Sequence, residues 1–274
     1  MALTLSLRSG IVHNGKQNKK GKRKMKRPEK AYKNIEFLKS REARTLRILA
    51  EYLEPEKRFE ELEIKHTVVF FGSARVRPVK KSKDDMSIHK NYWAAEELAF
   101  QLANYSRELR KEGEGFSICS GGGPGIMEAA NRGATRANEK NIGLNISIPF
   151  EQDPNHYITP ELSFEFHYFF MRKLWFLYHA KAIIVFPGGF GTMDELFETL
   201  TLRQTKKLDK LKIPVLLYDR IYWEDLVNFD KLIEYGLISP EDVKLFRFFS
   251  TPEEGLEYLK PRLKDVIHNF KLKD

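Results

Sequence analysis

The sequence predicts an α/β fold: a doubly wound, mostly parallel sheet with helices on both faces. Three observations predict it. Short segments that are apolar at almost every position recur along the chain, and longer segments with helical spacing of apolar residues separate them. Three loops rich in small residues each follow one of the short apolar segments. Strands that are apolar throughout are typical of parallel sheets, because helices cover such sheets on both faces.

The elements follow one another in a regular alternation. The predicted strands are TVVFF (67–71), FSICS (116–120), IGLNISI (142–148), SFEF (163–166), AIIVF (182–186) and PVLLY (214–218). The predicted helices cover 31–53, 90–111, 125–139, 168–180, 222–233 and 251–265, and one more follows the loop at 187–192 and ends near residue 206. Parallel neighbours need such crossover helices between them.

The net charge of +9 belongs to the N-terminal tail. Residues 1–30 contain ten Lys or Arg and one acid, which leaves 37 basic and 37 acidic residues in the rest of the chain. The tail has no apolar periodicity, so we expect it to be disordered. Either it contacts nucleic acid or an anionic surface weakly, or it is solvated and has no partner.

Residues 31–62 are expected to form a helical extension, and residues 63–274 the main domain. Five apolar residues can form one stripe on a helix over 31–53, namely Ile35, Leu38, Leu46, Leu49 and Leu53. Pro55 and the charged stretch after it are expected to separate this helix from the main domain.

The single cysteine, Cys119, excludes an intramolecular disulfide and fits a reducing cytoplasm. Because it lies in an apolar stretch, we expect it to pack in the core. The sequence has no run of 18 apolar residues, and MALTLSLRSG is too short and polar for a secretory signal. We therefore expect a cytoplasmic protein without a membrane span, and no cluster of metal-ligand residues predicts a metal or another cofactor.

Three loops should meet at one edge of the sheet: FGSAR (71–75), SGGGPG (120–125) and PGGFGT (187–192). Each follows a predicted strand, and open parallel sheets bind ligands beyond the carboxyl ends of their strands. In SGGGPG, glycines 121, 122 and 123 allow close approach of a ligand, but their spacing matches neither a dinucleotide fingerprint nor a P-loop. Tight packing of strand on helix explains that loop equally well.

PGGFGT is the stronger signal. Gly188, Gly189 and Gly191 free the backbone, and Thr192 supplies a hydroxyl near a helix start, which suits a single phosphate. Two acids follow. We interpret Asp194 as a complement to the helix dipole in the first turn. We interpret Glu195 as functional, because two such loops and a basic segment share its edge of the sheet.

The basic segment is FFMRKLWFLYHA (169–180). Arg172 and Lys173 lie near the predicted helix start, where positive charge opposes the helix dipole. An anionic ligand would explain them, and a surface Arg–Lys pair is the alternative. The residues that can face the core are Met171, Leu174, Trp175 and Tyr178.

Together, GGGPGIMEAANRGA, MRK and PGGFGTMDE resemble the LOG family, often labelled lysine decarboxylase-like, over roughly residues 64–235. The resemblance implies a Rossmann-like nucleotide-binding catalytic domain that hydrolyses nucleoside 5′-monophosphates, of the AMP or cytokinin riboside type, to free base and ribose 5-phosphate. It implies that Arg172 and Glu195 are catalytic and that Gly188, Gly189, Gly191 and Thr192 hold the phosphate. Asp194 is a mild departure, because relatives often have Glu there. Further candidates for substrate binding are Ser73, Gly121, Gly122, Gly123, Met171 and Lys173.

This activity would explain a carboxylate beside an anion site. Cleavage of the N-glycosidic bond places positive charge on the sugar ring, and a fixed carboxylate stabilises charge that exists only in the transition state. Glu195 could instead orient the attacking water or hold the ribose hydroxyls. Arg172 could clamp the substrate or assist departure of the base.

Two other functions remain open. One is a non-catalytic protein of the same fold that binds a nucleotide or a molybdopterin-type cofactor, and the other is an RNA-associated protein that works through the basic tail. Pyridoxal phosphate chemistry is disfavoured, because nothing in the sequence marks Lys173 or Lys181 as a buried Schiff-base lysine. We expect a homodimer or a larger assembly, since helix 168–180 is apolar on more than one face. The resemblance implies the same.

Overall fold

The described residues from Thr45 onward form a seven-stranded parallel sheet in the order β4-β3-β2-β1-β5-β6-β7. The structure is a computed structural model and describes residues 27–78, 88–148, 153–208 and 213–271. The strands are β1 (Thr67–Phe71), β2 (Ser117–Ser120), β3 (Asn141–Ile146), β4 (Ser163–Phe166), β5 (Ala180–Val185), β6 (Val215–Tyr218) and β7 (Arg247–Phe249). Each neighbouring pair is parallel, so the predicted fold class is confirmed.

Helices from Thr45 onward cover both faces of this sheet. In chain order, the helices of the described residues are α1 (Ile35–Lys39), α2 (Arg44–Glu61), α3 (Lys90–Arg110), α4 (Ile126–Arg136), α5 (Phe169–Tyr178), α6 (Phe190–Gln204), α7 (Arg220–Leu226), α8 (Phe229–Glu234) and α9 (Pro252–Lys271). Alternate residues of β1 point to opposite faces. Val68 and Phe70 pack with α3, α4 and α9, whereas Val69 and Phe71 pack with residues of α2, α5 and α6.

The order of the strands reverses at β1. The chain moves outward from β1 to β4 on one side and then returns to place β5 on the other side of β1. The connections after β1 and β5 therefore leave in opposite directions, and a crevice opens between them beyond the carboxyl ends of the strands. This is the edge at which the three loops were expected to meet.

Most predicted strands have nearly the observed bounds, but one strand was missed. β7 is three residues long and pairs on one side only, with β6, so its residues show neither the length nor the apolar continuity of the inner strands. Cys119 is buried in β2, as expected, and burial raises the pKa of its thiol.

The prediction of one helix over 31–53 is wrong. A short 3-10 turn at Ala31–Lys33 precedes α1, and α2 is a separate helix that continues through Pro55 to Glu61. Among the described residues, those up to Arg44 form one compact unit and those from Thr45 onward form the other.

Pro55 does not separate α2 from the main domain. Proline lacks the N–H group that would bond to the carbonyl four residues earlier, which belongs to Glu51. That carbonyl instead accepts a hydrogen bond from Nε1 of Trp175 at 3.0 Å. Because the orphaned carbonyl has this partner from α5, the helix tolerates the proline and buries both Pro55 and Phe59.

Most of the basic tail, residues 1–26, lies outside the described residues. Within the described ranges, no helix is both long enough and apolar enough to cross a membrane. The same part of the chain holds no group of three or more His, Cys, Asp or Glu arranged to bind a metal ion.

Candidate active site

A cavity of about 990 Å³ occupies the crevice between the connections after β1 and β5. The three predicted loops, the first turn of α5 and the start of α6 all contribute to its wall. Of the residues proposed from the sequence, those that line it are Ser73, Gly121, Gly123, Arg172, Gly188, Gly189, Gly191, Thr192 and Glu195. The sequence pattern therefore placed most of its candidates in one cavity.

Ser73 joins the three loops. Its backbone N–H donates to the carbonyl of Pro187 at 3.1 Å, and its own carbonyl accepts from the N–H of Ile126 at 3.1 Å. Gly125 allows this close approach, since a Cβ atom there would lie 2.3 Å from the Ser73 carbonyl oxygen and its φ is +74°. The first loop is thus fixed to the other two through main-chain hydrogen bonds.

Glycine is required by packing at one position of PGGFGT but not at the other two. A Cβ atom on Gly188 would lie 2.1 Å from Oγ1 of Thr192, so close packing excludes a side chain there. Gly189 and Gly191 have nothing within 4 Å of such an atom, and Gly189 has an ordinary φ of −84°. Neither packing nor backbone conformation requires glycine at these two positions. The space that side chains would fill belongs to the cavity.

The start of α6 offers backbone donors. Gly189 is the N-cap residue and provides no side chain to accept from the first-turn N–H groups. The hydroxyl of Tyr222 donates to the carbonyl of Gly188 at 2.7 Å and so holds the loop from α7. An uncapped helix N-terminus with fixed loop geometry favours an anion.

Arg172 is held against the second glycine loop. Its Nε donates to the carbonyl of Leu144 at 2.8 Å, and its guanidinium lies 5.0 Å from the ring centre of Phe176. A Cβ atom on Gly121 would lie 2.4 Å from Nη2, so glycine is needed there to admit the guanidinium. Burial lowers the pKa of Arg172, and the charge of Glu195 opposes that shift.

Glu195 has a strongly raised pKa of about 7. Burial is the largest cause, and the positive charges of Arg172 and Lys173 oppose it. Its carboxyl is therefore only partly ionised at neutral pH. A shift of this kind, in a cavity and beside a fixed cation, is typical of functional carboxylates.

The interpretation of Asp194 as a first-turn acid is wrong. Helix α6 begins at Phe190, so Asp194 and Glu195 lie in its second turn, where the influence of the helix dipole has fallen off. Asp194 instead forms an ion pair with Lys173 at 2.8 Å.

Three candidates for substrate binding do not line the cavity. Lys173 joins α5 to α6 through Asp194 and through Glu198, at 3.1 Å from the latter. Met171 is buried in the core. Gly122 serves the loop itself, with a φ of +75° and a carbonyl that accepts from Nδ2 of Asn155 at 3.0 Å.

The predicted inward face of α5 is partly wrong. Met171 and Trp175 are buried as expected, but Leu174 and Tyr178 are exposed, at 38% and 56%. Phe176 is buried in their place, against the ring of Phe71. The guanidinium of Arg172 lies over the ring of Phe176, which couples the core face of α5 to the cavity.

Sequence reasoning missed several residues of the cavity wall, among them Arg75, Asn145, Phe190 and Tyr222. Arg75 and Phe190 belong to the quoted loops, and their position there was the available signal. Asn145 gave a weaker one, as an amide within a mostly apolar strand, where its Nδ2 donates to the carbonyl of Phe164 at 2.9 Å. Tyr222 gave none, because it follows a strand whose loop has no glycine.

The two lysines considered for pyridoxal phosphate do not lie in the cavity wall. Lys181 is only 1% exposed, although nothing in the sequence marked it as buried. It is the second residue of β5, however, and hence lies near the opposite edge of the sheet from the glycine loops. Lys173 is engaged by two carboxylates.

The sequence matches known families and proteins. The family model described as "Possible lysine decarboxylase" matches residues 127–259. Cytokinin riboside 5′-monophosphate phosphoribohydrolase LOG1 of Arabidopsis thaliana is 32% identical over 185 residues, which cover 66% of this chain and 75% of that protein. The chain belongs to the LOG family.

A second LOG family relative gives a similar match. The "Probable cytokinin riboside 5′-monophosphate phosphoribohydrolase LOGL6" of Oryza sativa subsp. japonica is 31% identical over 207 residues, with 73% of each chain covered. Among solved structures, the Moco carrier protein from Chlamydomonas reinhardtii has a TM-score of 0.46 and 18% identity, covering 73% of this chain and 98% of that one. The LOG family match at 127–259 contains Arg172, the PGGFGT loop and Glu195.

Proposed function

We propose that this protein hydrolyses the N-glycosidic bond of a nucleoside 5′-monophosphate and releases the free base and ribose 5-phosphate. One observation carries the proposal: the PGGFGT loop at the start of α6 and the half-buried carboxylate of Glu195 on the same helix line the same cavity. Phe190 and Glu195 are five positions apart, which is about 8 Å along a helix axis. That separation suits a sugar phosphate, with the phosphate at the helix start and the anomeric carbon near the carboxylate.

The chemistry assigns a role to each group. The backbone donors of Gly189 to Thr192 hold the 5′-phosphate. As the bond from C1′ to the base nitrogen breaks, its electron pair leaves with the base, and the ribose ring becomes positively charged. The Glu195 carboxylate stabilises that charge, and water adds to C1′. The proton that the water loses balances the proton that the nitrogen of the departing base gains. Arg172 donates hydrogen bonds to the departing base or to the sugar hydroxyls.

The remaining wall suits a purine. Much of it is apolar, and its apolar residues include Ile88, Met127, Ile146, Ile148, Phe169 and Leu226. A flat aromatic base with or without an alkyl substituent would bury its surface there, and each buried CH₂ contributes about 0.8 kcal/mol. AMP and cytokinin riboside monophosphates are therefore the proposed substrates, as the names of the phosphoribohydrolase relatives suggest.

A non-catalytic carrier is the second candidate. A carrier of anionic ligands gains nothing from a carboxylate in the wall of its cavity, because like charge weakens the binding of an anion. Glu195 contributes to a hydrolase and detracts from a carrier, which favours the enzyme.

The function is tested by incubating the purified protein with AMP, GMP, CMP and IMP and measuring free base by chromatography. We expect base release from a purine monophosphate, with ribose 5-phosphate formed in equal amount. Tight binding of a nucleotide with no base released from any of the four would favour the carrier. Release of base without ribose 5-phosphate would contradict the hydrolytic step.

We also propose that the protein is a homodimer or a larger assembly. Helices α5 and α6 leave large apolar side chains exposed, among them Phe170, Leu174, Tyr178 and Phe197. Three of these four, all but Phe197, line a shallow second cavity together with Leu177, Leu202 and Leu208. A second copy that packs the same face against this one across a two-fold axis would cover them.

Sedimentation at micromolar concentration should give at least twice the mass of one chain. Leu174→Glu should shift the protein toward monomer, because it places a charge in the apolar face. Leu237→Glu is the matched control, since Leu237 is also exposed but follows α8 and is absent from the second cavity. A wild-type monomer at this concentration would refute the assembly.

A cytoplasmic location belongs to the same proposal, because a nucleotide substrate and a single buried thiol fit a reducing compartment. Weak contact between the basic tail and nucleic acid or anionic surfaces stays a prediction from the sequence, because most of the tail lies outside the described residues.

A further inference from the structure

We infer that Glu51 of α2 is a positioning residue for Arg172, and that α2 is part of the catalytic machinery although it lies outside the matched family segment. This inference rests on the proposed function. Glu51 does not line the cavity. Its action on the reaction is therefore indirect, through the helix that carries Arg172.

The Glu51 side chain caps the N-terminus of α5. One carboxylate oxygen accepts from the backbone N–H of His167 at 2.9 Å, and the other accepts from the backbone N–H of Tyr168 at 3.2 Å. Tyr168 is the N-cap residue of α5, and its own side chain does not cap the helix. A carboxylate at this end of a helix satisfies orphan donors and complements the helix dipole.

The Glu51 main chain holds the same helix from a second direction. Its carbonyl accepts from Nε1 of Trp175, as described above, and Pro55 leaves it free to do so. Tyr168 and Trp175 are seven positions apart, so Glu51 fixes α5 at two points about two turns apart. Arg172 lies between those two points.

The rest of α2 is fixed to the strand that leads into α5. Nη1 of Arg58 donates to the carbonyls of Glu161 and Ser163, at 3.0 and 3.1 Å. Its guanidinium also lies 3.9 Å from the ring centre of Phe164 in β4. Because α2 is anchored to β4 independently of α5, Glu51 provides a fixed reference for the start of α5.

Arg172 is sensitive to the position of this first turn. Its backbone N–H bonds to the carbonyl of Tyr168 at 3.2 Å, so the capped residue and Arg172 share one helical turn. On the cavity side, the guanidinium fits only because position 121 is glycine. A small displacement of the turn would move the guanidinium from its place beside Glu195, and misplacement by about 1 Å can cost a rate factor of about 100.

The test compares Glu51→Ala, Glu51→Gln and the control Glu60→Ala, in the full-length protein with AMP. Glu60 is exposed on the same helix, so its variant removes equal charge without touching α5. We expect Glu51→Ala to lower kcat by between about 10- and 100-fold with a smaller change in KM. Glu51→Gln keeps one acceptor oxygen and should recover part of the loss, and Glu60→Ala should behave as wild type.

A second readout does not depend on turnover. The groups around the Glu195 carboxyl are Arg172 and Lys173 from α5 and Asp194 and Glu198 from α6. Because Arg172 favours the ionised carboxylate, its displacement should raise the pKa of Glu195, which carbon NMR of the labelled carboxyl measures. If the wild type releases no base but Glu51→Ala raises this pKa, the proposed function fails and the positioning role stands.

Unchanged kcat and an unchanged pKa of Glu195 in folded Glu51→Ala would overturn the inference and leave Glu51 with a purely structural role. If Glu51→Ala does not fold, the same two measurements on Glu51→Gln decide. In that case, a Glu51→Gln protein that matches wild type in both measurements would overturn the inference.

Discussion

Glu195→Gln is expected to abolish base release while the protein stays folded and still binds AMP. The amide has almost the same shape but cannot stabilise positive charge on the ribose, so the loss falls on kcat. Removal of one preorganised electrostatic contact of this kind costs about 10²- to 10³-fold. Turnover is measured as free base, and nucleotide binding as heat of titration.

Glu257→Gln is the control for loss of a carboxylate, because Glu257 is exposed on α9 and does not line the cavity. It should retain wild-type turnover. If Glu195→Gln keeps more than about half of wild-type kcat, Glu195 is not the catalytic carboxylate.

The pH dependence provides an independent check on the same residue. Burial raises the pKa of Glu195 to about 7, so the carboxylate form is present above that pH and is lost as the pH falls below it. If the carboxylate is the required form, kcat/KM should fall about tenfold per unit below pH 7 and level off above it. A second limb near pH 6 belongs to the substrate phosphate. Glu195→Gln should lose only the limb near 7. If activity rises as the pH falls through 7, the neutral acid is the active form.

Adenosine should be a far poorer substrate than AMP, by about 10³-fold or more in kcat/KM. A dianionic phosphate at the start of α6 supplies binding energy that holds the ribose beside Glu195, and the nucleoside lacks this anchor. Parallel kinetics on AMP and adenosine measure the ratio. Adenosine hydrolysed as fast as AMP would remove the phosphate role from the PGGFGT loop.

Gly191→Ala tests whether the preference for AMP over adenosine arises in the PGGFGT loop. Its Cβ would meet no protein atom within 4 Å, and alanine forms helices better than glycine, so the thermal midpoint should not fall. The added methyl occupies space proposed for the phosphate. We therefore expect kcat/KM for AMP to fall and kcat/KM for adenosine to change little. The ratio of the two values should become smaller than in the wild type. Equal loss on both substrates would indicate general damage to the site.

Local patterns predicted the fold and placed most of the candidate site residues in the cavity. The strands β1 and β4 have their predicted bounds. Each was predicted from its own consecutive residues alone, five in β1 and four in β4. The loop residues and Glu195 were predictable for a related reason: parallel strands bring their following loops to one edge whatever the order of the strands. A short-range pattern was sufficient in each case.

What the sequence could not predict depends on contacts between distant residues. Helix α2 passes through Pro55 only because Trp175, 120 positions later, bonds to the carbonyl that the proline leaves free. Asn145 and Tyr222 reach the cavity because of the strand order, which the sequence did not establish. The exposure of Leu174 and Tyr178 depends on which side of α5 meets the sheet. No window of neighbouring residues contains this information.

The central position of β1 has a consequence for synthesis of the protein. Among the described strands, TVVFF leaves the ribosome first, and one of its edges pairs with β2, which follows about 50 residues later. The other edge pairs with β5, whose first residue, Ala180, is translated more than 100 residues after Thr67. At about 5–20 residues per second, the second edge of a fully apolar strand waits on the order of 10 s for its partner. During that interval the nascent chain has an unpaired, apolar β-edge, so we expect chaperones that bind during translation to bind mainly at this strand.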